Sequence, residues 1–373
     1  MTNHTGSSSG LPPTVRERNR PQRCPCQYQG SQDWTRDSSP ESRTVPTSIR
    51  STTSAPADSR MSTSVIAGRA GCLRLYPIAL GLGGLGGAWR TAIALGAPTW
   101  PAASLSALSL GAWIAVTVMY VLKGGVRPRA FIEDLRHPEQ GFALAYIPLI
   151  PLLLMAHAPR TPGFRILDLG LAAVWAVATA ALVAHWITTP RDRHAIHPGF
   201  SLPVVGGPFI ASISLQANGW HALAQGLFTV GVYFAVTFGS LIVGRLMTEQ
   251  RLTDVRFPTL AVLMVPPATA STAWFGLNDN RITTLGIGLA AVLAMMALIQ
   301  LFILPDYLRR PFTISWWSFS FPLASSANTV GHWAIAAPGP ACRLLAWSTL
   351  VTATTIIGLL AALTVRTVWR TSR

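Results

Sequence analysis

From His194 to Gly244 the chain carries no Asp, Glu, Lys or Arg. A membrane crossing takes ~20 apolar residues to span ~30 Å of hydrocarbon, so this stretch is too long for one crossing. It breaks at QANGWHA, Gln216–Ala222, and two helices fit it. The same rhythm of apolar runs and polar breaks continues from Cys72 onward. We read ten runs, at about 75–95, 102–123, 141–157, 164–188, 200–217, 220–244, 258–276, 283–304, 312–335 and 343–366. Only 12% of the 373 residues are charged, against ~25% in a typical soluble domain. The expected fold class is an all-α integral membrane protein with ten transmembrane helices.

Residues 1–70 are rich in Ser, Thr, Arg and Pro and lack apolar periodicity. They cannot bury enough surface to offset ordering, so a disordered, basic cytosolic tail is expected there. The ten-helix pore domain is expected over residues 71–370. No apolar signal-peptide core follows Met1, and Met61, just before the first run, is an alternative start. Cys24, Cys26, Cys72 and Cys342 show neither zinc-site nor disulfide spacing. The formal net charge is +15. The arginines fall between apolar runs, which marks topology and not a nucleic-acid face. Lys123, Arg127, Arg129 and Arg136, then Arg191 and Arg193, then Arg245, Arg251 and Arg256, then Arg309 and Arg310 follow even-numbered runs. After odd-numbered runs stand only Arg160, Arg165, Arg281 and Arg343. The first group is assigned to the cytosol, which puts both termini there in a multi-pass protein of the cytoplasmic membrane.

The prolines sort by run. The third run holds Pro148 and Pro151, the fifth Pro203 and Pro208, the seventh Pro266 and Pro267, the ninth Pro322. The interiors of the even runs are read as proline-free. The first run has Pro77 near its start, then LGLGGLGGAW with Gly81 and Gly84. An interior proline removes a backbone bond at a cost of ~3 kcal/mol. In lipid such a break is tolerated where protein or a cavity surrounds it. The odd runs are therefore expected as an inner ring of kinked helices around a central pore, the even runs as an outer ring, in five helical hairpins. The prolines lie about seven to ten residues from the cytosolic ends, roughly a third to half of the way across at 1.5 Å per residue.

No carboxylate is assigned to a span interior. Glu133, Asp134, Glu139, Asp168, Asp192, Glu249, Asp254, Asp279 and Asp306 are read as loop residues. That speaks against an ion-coupled motor and a cation path. It also speaks against an intramembrane hydrolase, so no enzyme, catalytic residue, metal or cofactor is expected. His157, His185 and His332 show no metal-ligand spacing. A path without acids, edged by arginines at its cytosolic mouth, favours anions. In the ninth run, SWWSFSFPLASSANTVG, small polar groups of Ser318, Ser320, Ser325, Ser326 and Asn328 suit an uncharged wet path. Phe321, directly before Pro322, is a candidate gate by water exclusion, with Phe319 beside it.

LGLGGLGGAW, RHPEQGFALAYIPL, HPGFSLPVVGGPF, FPTLAVLMVPPA and WWSFSFPLASSAN together resemble the tellurite-resistance/dicarboxylate transporter family. That family includes bacterial TehA and is related to plant slow anion channels. The resemblance covers residues 70–370. It implies a homotrimer with one pore per protomer, lined by five kinked helices and occluded by a phenylalanine of the ninth. The family motif W-x-F-x-F falls on Trp317, Phe319 and Phe321, and Phe321 matches the gate. Pro77 stands where TehA-like members carry a glycine. The implied function is an anion channel or channel-like permease. The alternative is a proton-coupled exporter of dicarboxylate, sulfite or tellurite.

Overall fold

The computed structural model describes residues 69–137, 140–190 and 196–371. The expected tail, with Met61, Cys24 and Cys26, lies outside the described residues except for Arg69 and Ala70. Those two already belong to α1 (Arg69–Leu73). Arg69 Nε donates to Asp134 Oδ2 at 2.6 Å, and the Tyr120 hydroxyl donates to the same oxygen at 2.9 Å. That hydrogen bond pushes the Arg69 pKa above its ordinary value.

Among the described residues every regular element is helical. After α1 come α2 (Tyr76–Ile93), α3 (Trp100–Tyr120) with a π-turn at Val121–Gly125, and the short α4 (Pro128–Leu135). Then follow α5 (Tyr146–Met155), α6 (Pro162–Thr188), α7 (Pro198–Ala217) and α8 (His221–Thr248). The last are α9 (Val265–Leu277), α10 (Thr284–Leu308), α11 (Ser320–Ala336) and α12 (Pro340–Thr371). Starts are written locally. Proline occupies one of the first two positions of α2, α3, α4, α6, α7 and α9, where no backbone donor is needed. Thr161 and Thr283 cap α6 and α10 by accepting from Phe164 N and Gly286 N.

Among the described residues seven helical stretches are long and apolar enough to cross a membrane: Trp100–Gly125, Pro162–Thr188, Pro198–Ala217, His221–Thr248, Phe257–Leu277, Thr284–Leu308 and Pro340–Arg370. This is a multi-pass membrane architecture. The count is smaller than the ten runs because α2, α5 and α11 are short or weakly apolar, with 18, 10 and 17 residues. Helices enclosed by other helices need small residues for close packing more than lipid-soluble ones.

Burial divides the seven sharply. The windows of α7 and Phe257–Leu277 are 83% and 67% buried, whereas those of α3, α6, α8, α10 and α12 range from 6% to 28%. Leu122, Val177, Phe302 and Leu344 are among many large apolar side chains left open. A soluble surface does not carry that much apolar area. In the interior, α2 packs on α5 and α11, α7 on α5 and α9, and α9 on α11. Each of the outer helices α3, α6, α8, α10 and α12 packs on an interior neighbour.

Two expectations are corrected. The eighth run, proline-free over 283–304, is longer as a helix: α10 continues to Leu308, so an outer helix does hold an interior proline, Pro305, and Asp306 is helical and not in a loop. Asp168 is no loop residue. It lies in the first turns of α6, fully buried, accepting from Ser214 Oγ at 2.6 Å and Asn218 Nδ2 at 3.2 Å. These two donors on and just after α7 satisfy the carboxyl group, which is how a buried acid is tolerated.

Candidate functional site

Three interior stretches change helix type partway. Gly141–Ala145, Phe257–Met264 and Ile314–Phe319 are 3-10 turns that run directly into α5, α9 and α11. Pro148, Pro266, Pro267 and Pro322 stand at the second or third residue of the α part. A helix's first turn has free N–H groups anyway, so proline costs little there. These four therefore start α-helix after a tighter turn; they are not breaks in mid-helix. Pro151, Pro203 and Pro208 are true interior prolines. The Ile147 carbonyl, which Pro151 cannot reach with an N–H, accepts instead from Trp113 Nε1 of α3 at 2.9 Å.

Two cavities lie at opposite ends of this interior. The first, about 180 Å³, is lined by the early residues of each interior stretch: Pro77 and Leu80, Phe142 and Tyr146, Gly199 and Leu202, Thr259 and Val262, Ser318 and Phe321. The second, about 690 Å³, is lined by late residues: Arg90 and Thr91, His157, Gln216, Thr272 and Gly276, Asn328 and His332. All five stretches thus run in the same direction from one cavity to the other. Among the described residues the first cavity is lined by Arg74 and Arg256 and by no carboxylate. Among the described residues the second is lined by Arg90, Arg160 and Arg165 against one carboxylate, Asp279. Among the described lining residues arginines outnumber carboxylates at both ends, a balance that favours anions. Among the described residues no cluster of His, Cys, Asp or Glu could hold a metal ion.

Phe321 is buried and lines the first cavity. Its ring lies against Gly84: a Cβ on Gly84 would sit 2.8 Å from Phe321 Cδ2 and 3.2 Å from Ala324 Cβ. Gly81 faces Ser320 in the same seam, with no room for a side chain. Phe319 goes elsewhere. It packs edge-on against Tyr307 of α10 at 4.7 Å and stacks on Trp316 at 5.6 Å, away from both cavities. Pro266 faces a small void between α7, α8 and α9. Pro148, Pro203, Pro208, Pro267 and Pro322 are buried in the helix packing.

The serines expected to wet the path are mostly spent on the backbone. Ser320 Oγ donates to the Trp317 carbonyl at 2.6 Å, and Ser325 and Ser326 donate to that of Pro322 at 3.1 and 2.7 Å. Trp317 lines the first cavity and reaches Thr364 of α12 through Nε1 at 2.9 Å. Arg90 is the residue that run-reading missed. It sits inside the first apolar run, near the end of α2, and projects into the second cavity. A lone arginine in a glycine-rich run was the available signal.

Residues 73–365 match the family described as SLAC1, voltage-dependent anion channel. The chain is 26% identical over 268 residues to the tellurite resistance protein TehA homolog of Haemophilus influenzae, covering 68% of this chain and 78% of that one. It is 28% identical over 172 residues to the guard cell S-type anion channel SLAC1 of Arabidopsis thaliana, covering 44% of this chain and 30% of that one. Identity to the S-type anion channel SLAH4 of Arabidopsis thaliana is 27% over 237 residues, 60% of this chain and 64% of the relative. With a match over most of its length, this chain belongs to the SLAC1 family of voltage-dependent anion channels.

Proposed function

We propose that the chain conducts small inorganic or organic anions across a membrane, along the five interior stretches, with Phe321 as the gate. The observation that carries this reading is the place of that ring. The buried ring lines the first cavity, on the helix that leads to the second. A large apolar ring at a constriction blocks ions by excluding water. Gly84 gives the ring its seat.

In this reading α2, α5 and α11, extended by their 3-10 turns, cross the bilayer with the seven longer stretches. That makes ten crossings in five hairpins, the interior stretches lining the pore and the outer helices facing lipid. The Lys and Arg bias puts the first cavity and both termini on the cytosolic side of the cytoplasmic membrane. Residues 71–370 then form the pore domain, preceded by a basic cytosolic tail over 1–70. Three copies assemble, each with its own pore, and neither enzyme activity nor a cofactor is involved.

Phe321→Ala tests the gate. In planar bilayers or oocytes it should raise anion current severalfold at equal surface expression. Current equal to wild type would remove Phe321 from this role.

A further inference from the structure

We propose that the second cavity contains a binding site for a small inorganic anion, formed by the Asn328 amide and the Arg90 guanidinium. The proposal rests on the conduction reading, and it adds a defined resting place for the ion beyond the gate. The placement follows from register. Gly84 and Thr91 on α2 are seven residues apart, as are Phe321 and Asn328 on α11. Seven residues are close to two turns, so each pair shares a helix face, ~10 Å apart along the axis. The seam that seats Phe321 against Gly84 therefore brings Thr91 to Asn328 two turns later.

There the chemistry is directional. Thr91 Oγ1 donates to Asn328 Oδ1 at 2.6 Å. That bond occupies the acceptor end of the amide and leaves its NH2 end without a partner among the described residues, on the wall of the cavity. Other polar groups of this wall are engaged: Thr272 with Thr329 at 2.9 Å, and Gln216 Nε2 with the Gly276 carbonyl at 3.1 Å. Arg90, one residue before Thr91, lines the same cavity and makes no hydrogen bond or ion pair with described residues. An oriented amide donor and a guanidinium without a partner among the described residues, in a cavity where Asp279 is the one described carboxylate, present donors and positive charge to an anion.

The test reads binding apart from conduction. Thermal unfolding of the purified protein in detergent is followed while sodium chloride or nitrate replaces sodium gluconate at constant ionic strength. Wild type should show a saturable rise in Tm. Asn328→Asp keeps an acceptor for Thr91 but puts a carboxylate oxygen where the NH2 stood, and it should abolish that rise. Arg90→Gln, at an exposed position that tolerates change, should raise the half-saturating concentration at least tenfold. It carries the test if Asn328→Asp does not fold. A wild type without a saturable rise, or the same rise in both variants, overturns the site. Chloride flux into proteoliposomes is measured in parallel. Binding without flux overturns the conduction reading and leaves the site standing; flux without binding does the reverse.

Discussion

Trp113 shows at the scale of one residue how this interior accommodates its prolines. Pro151 has no N–H, so the Ile147 carbonyl loses its helical donor, and the Trp113 indole replaces it from the neighbouring helix. A buried carbonyl without a donor costs about 1–3 kcal/mol. Trp113→Phe keeps an aromatic ring and removes the donor. We expect a loss of about that size, about 1–3 kcal/mol, in unfolding experiments on the detergent-solubilised protein. Unchanged stability would mean that another group takes the carbonyl. Serine hydroxyls also turn inward: Ser320, Ser325 and Ser326 donate to nearby helix carbonyls. A serine in an apolar run therefore reads equally as path lining or as an extra donor to its own helix. In this chain the geometry favours the second for these three.

Between elements, the recurrent contact is an aromatic ring seated on a glycine. Trp175 of α6 lies on Gly207 of α7, Phe209 of α7 on Gly231 of α8, and Phe321 of α11 on Gly84 of α2. In each case a built Cβ would come within 2.9 Å of the ring. Such notches let helices approach closely without any hydrophobic drive between them in lipid. The tightest seam is α2 with α11, where Gly81 lies directly under Ser320. Gly81→Ala must push α11 away and should destabilise the protein by about 1–3 kcal/mol. Adding Ser320→Gly returns the space and should recover more than half of that loss, a coupling that a double-mutant cycle resolves. Additive losses would show that the two positions do not compete for the same space.

On the scale of the whole molecule, the five interior stretches run in parallel between two basic cavities and are wrapped by helices with apolar outer faces. Asp168 bears on the choice between channel and coupled exporter. A membrane-embedded carboxylate often marks a proton relay. Here it lines neither cavity and is held by Ser214 and Asn218, which gives it a packing role. Asp168→Asn should leave anion flux in proteoliposomes insensitive to an imposed pH gradient, as in wild type, while lowering Tm. If wild-type flux follows the gradient and Asp168→Asn abolishes that dependence, proton-coupled transport replaces conduction.

Some of this was determined by the sequence alone. Lipid as a solvent makes run length and charge one-dimensional properties, so an all-helical membrane protein could be read directly from apolar runs. The odd runs could be separated as the enclosed ones from their glycines and prolines, and α7 and Phe257–Leu277 are indeed the buried members of the seven. WWSFSFPLASSAN carried the family resemblance. Rotation about each helix axis was not legible. Phe319 and Phe321 stand two residues apart, about 200° around a helix, so one must turn from the interior when the other faces it. Which of the two does so depends on where the 3-10 turn gives way to α11, and that is decided by packing against α2 and α10. The burial of Asp168, the turning of Arg90 into the second cavity and the conversion of four prolines from breaks into helix starts have the same origin. Each depends on which neighbour a helix face meets, and only the assembled helices determine that.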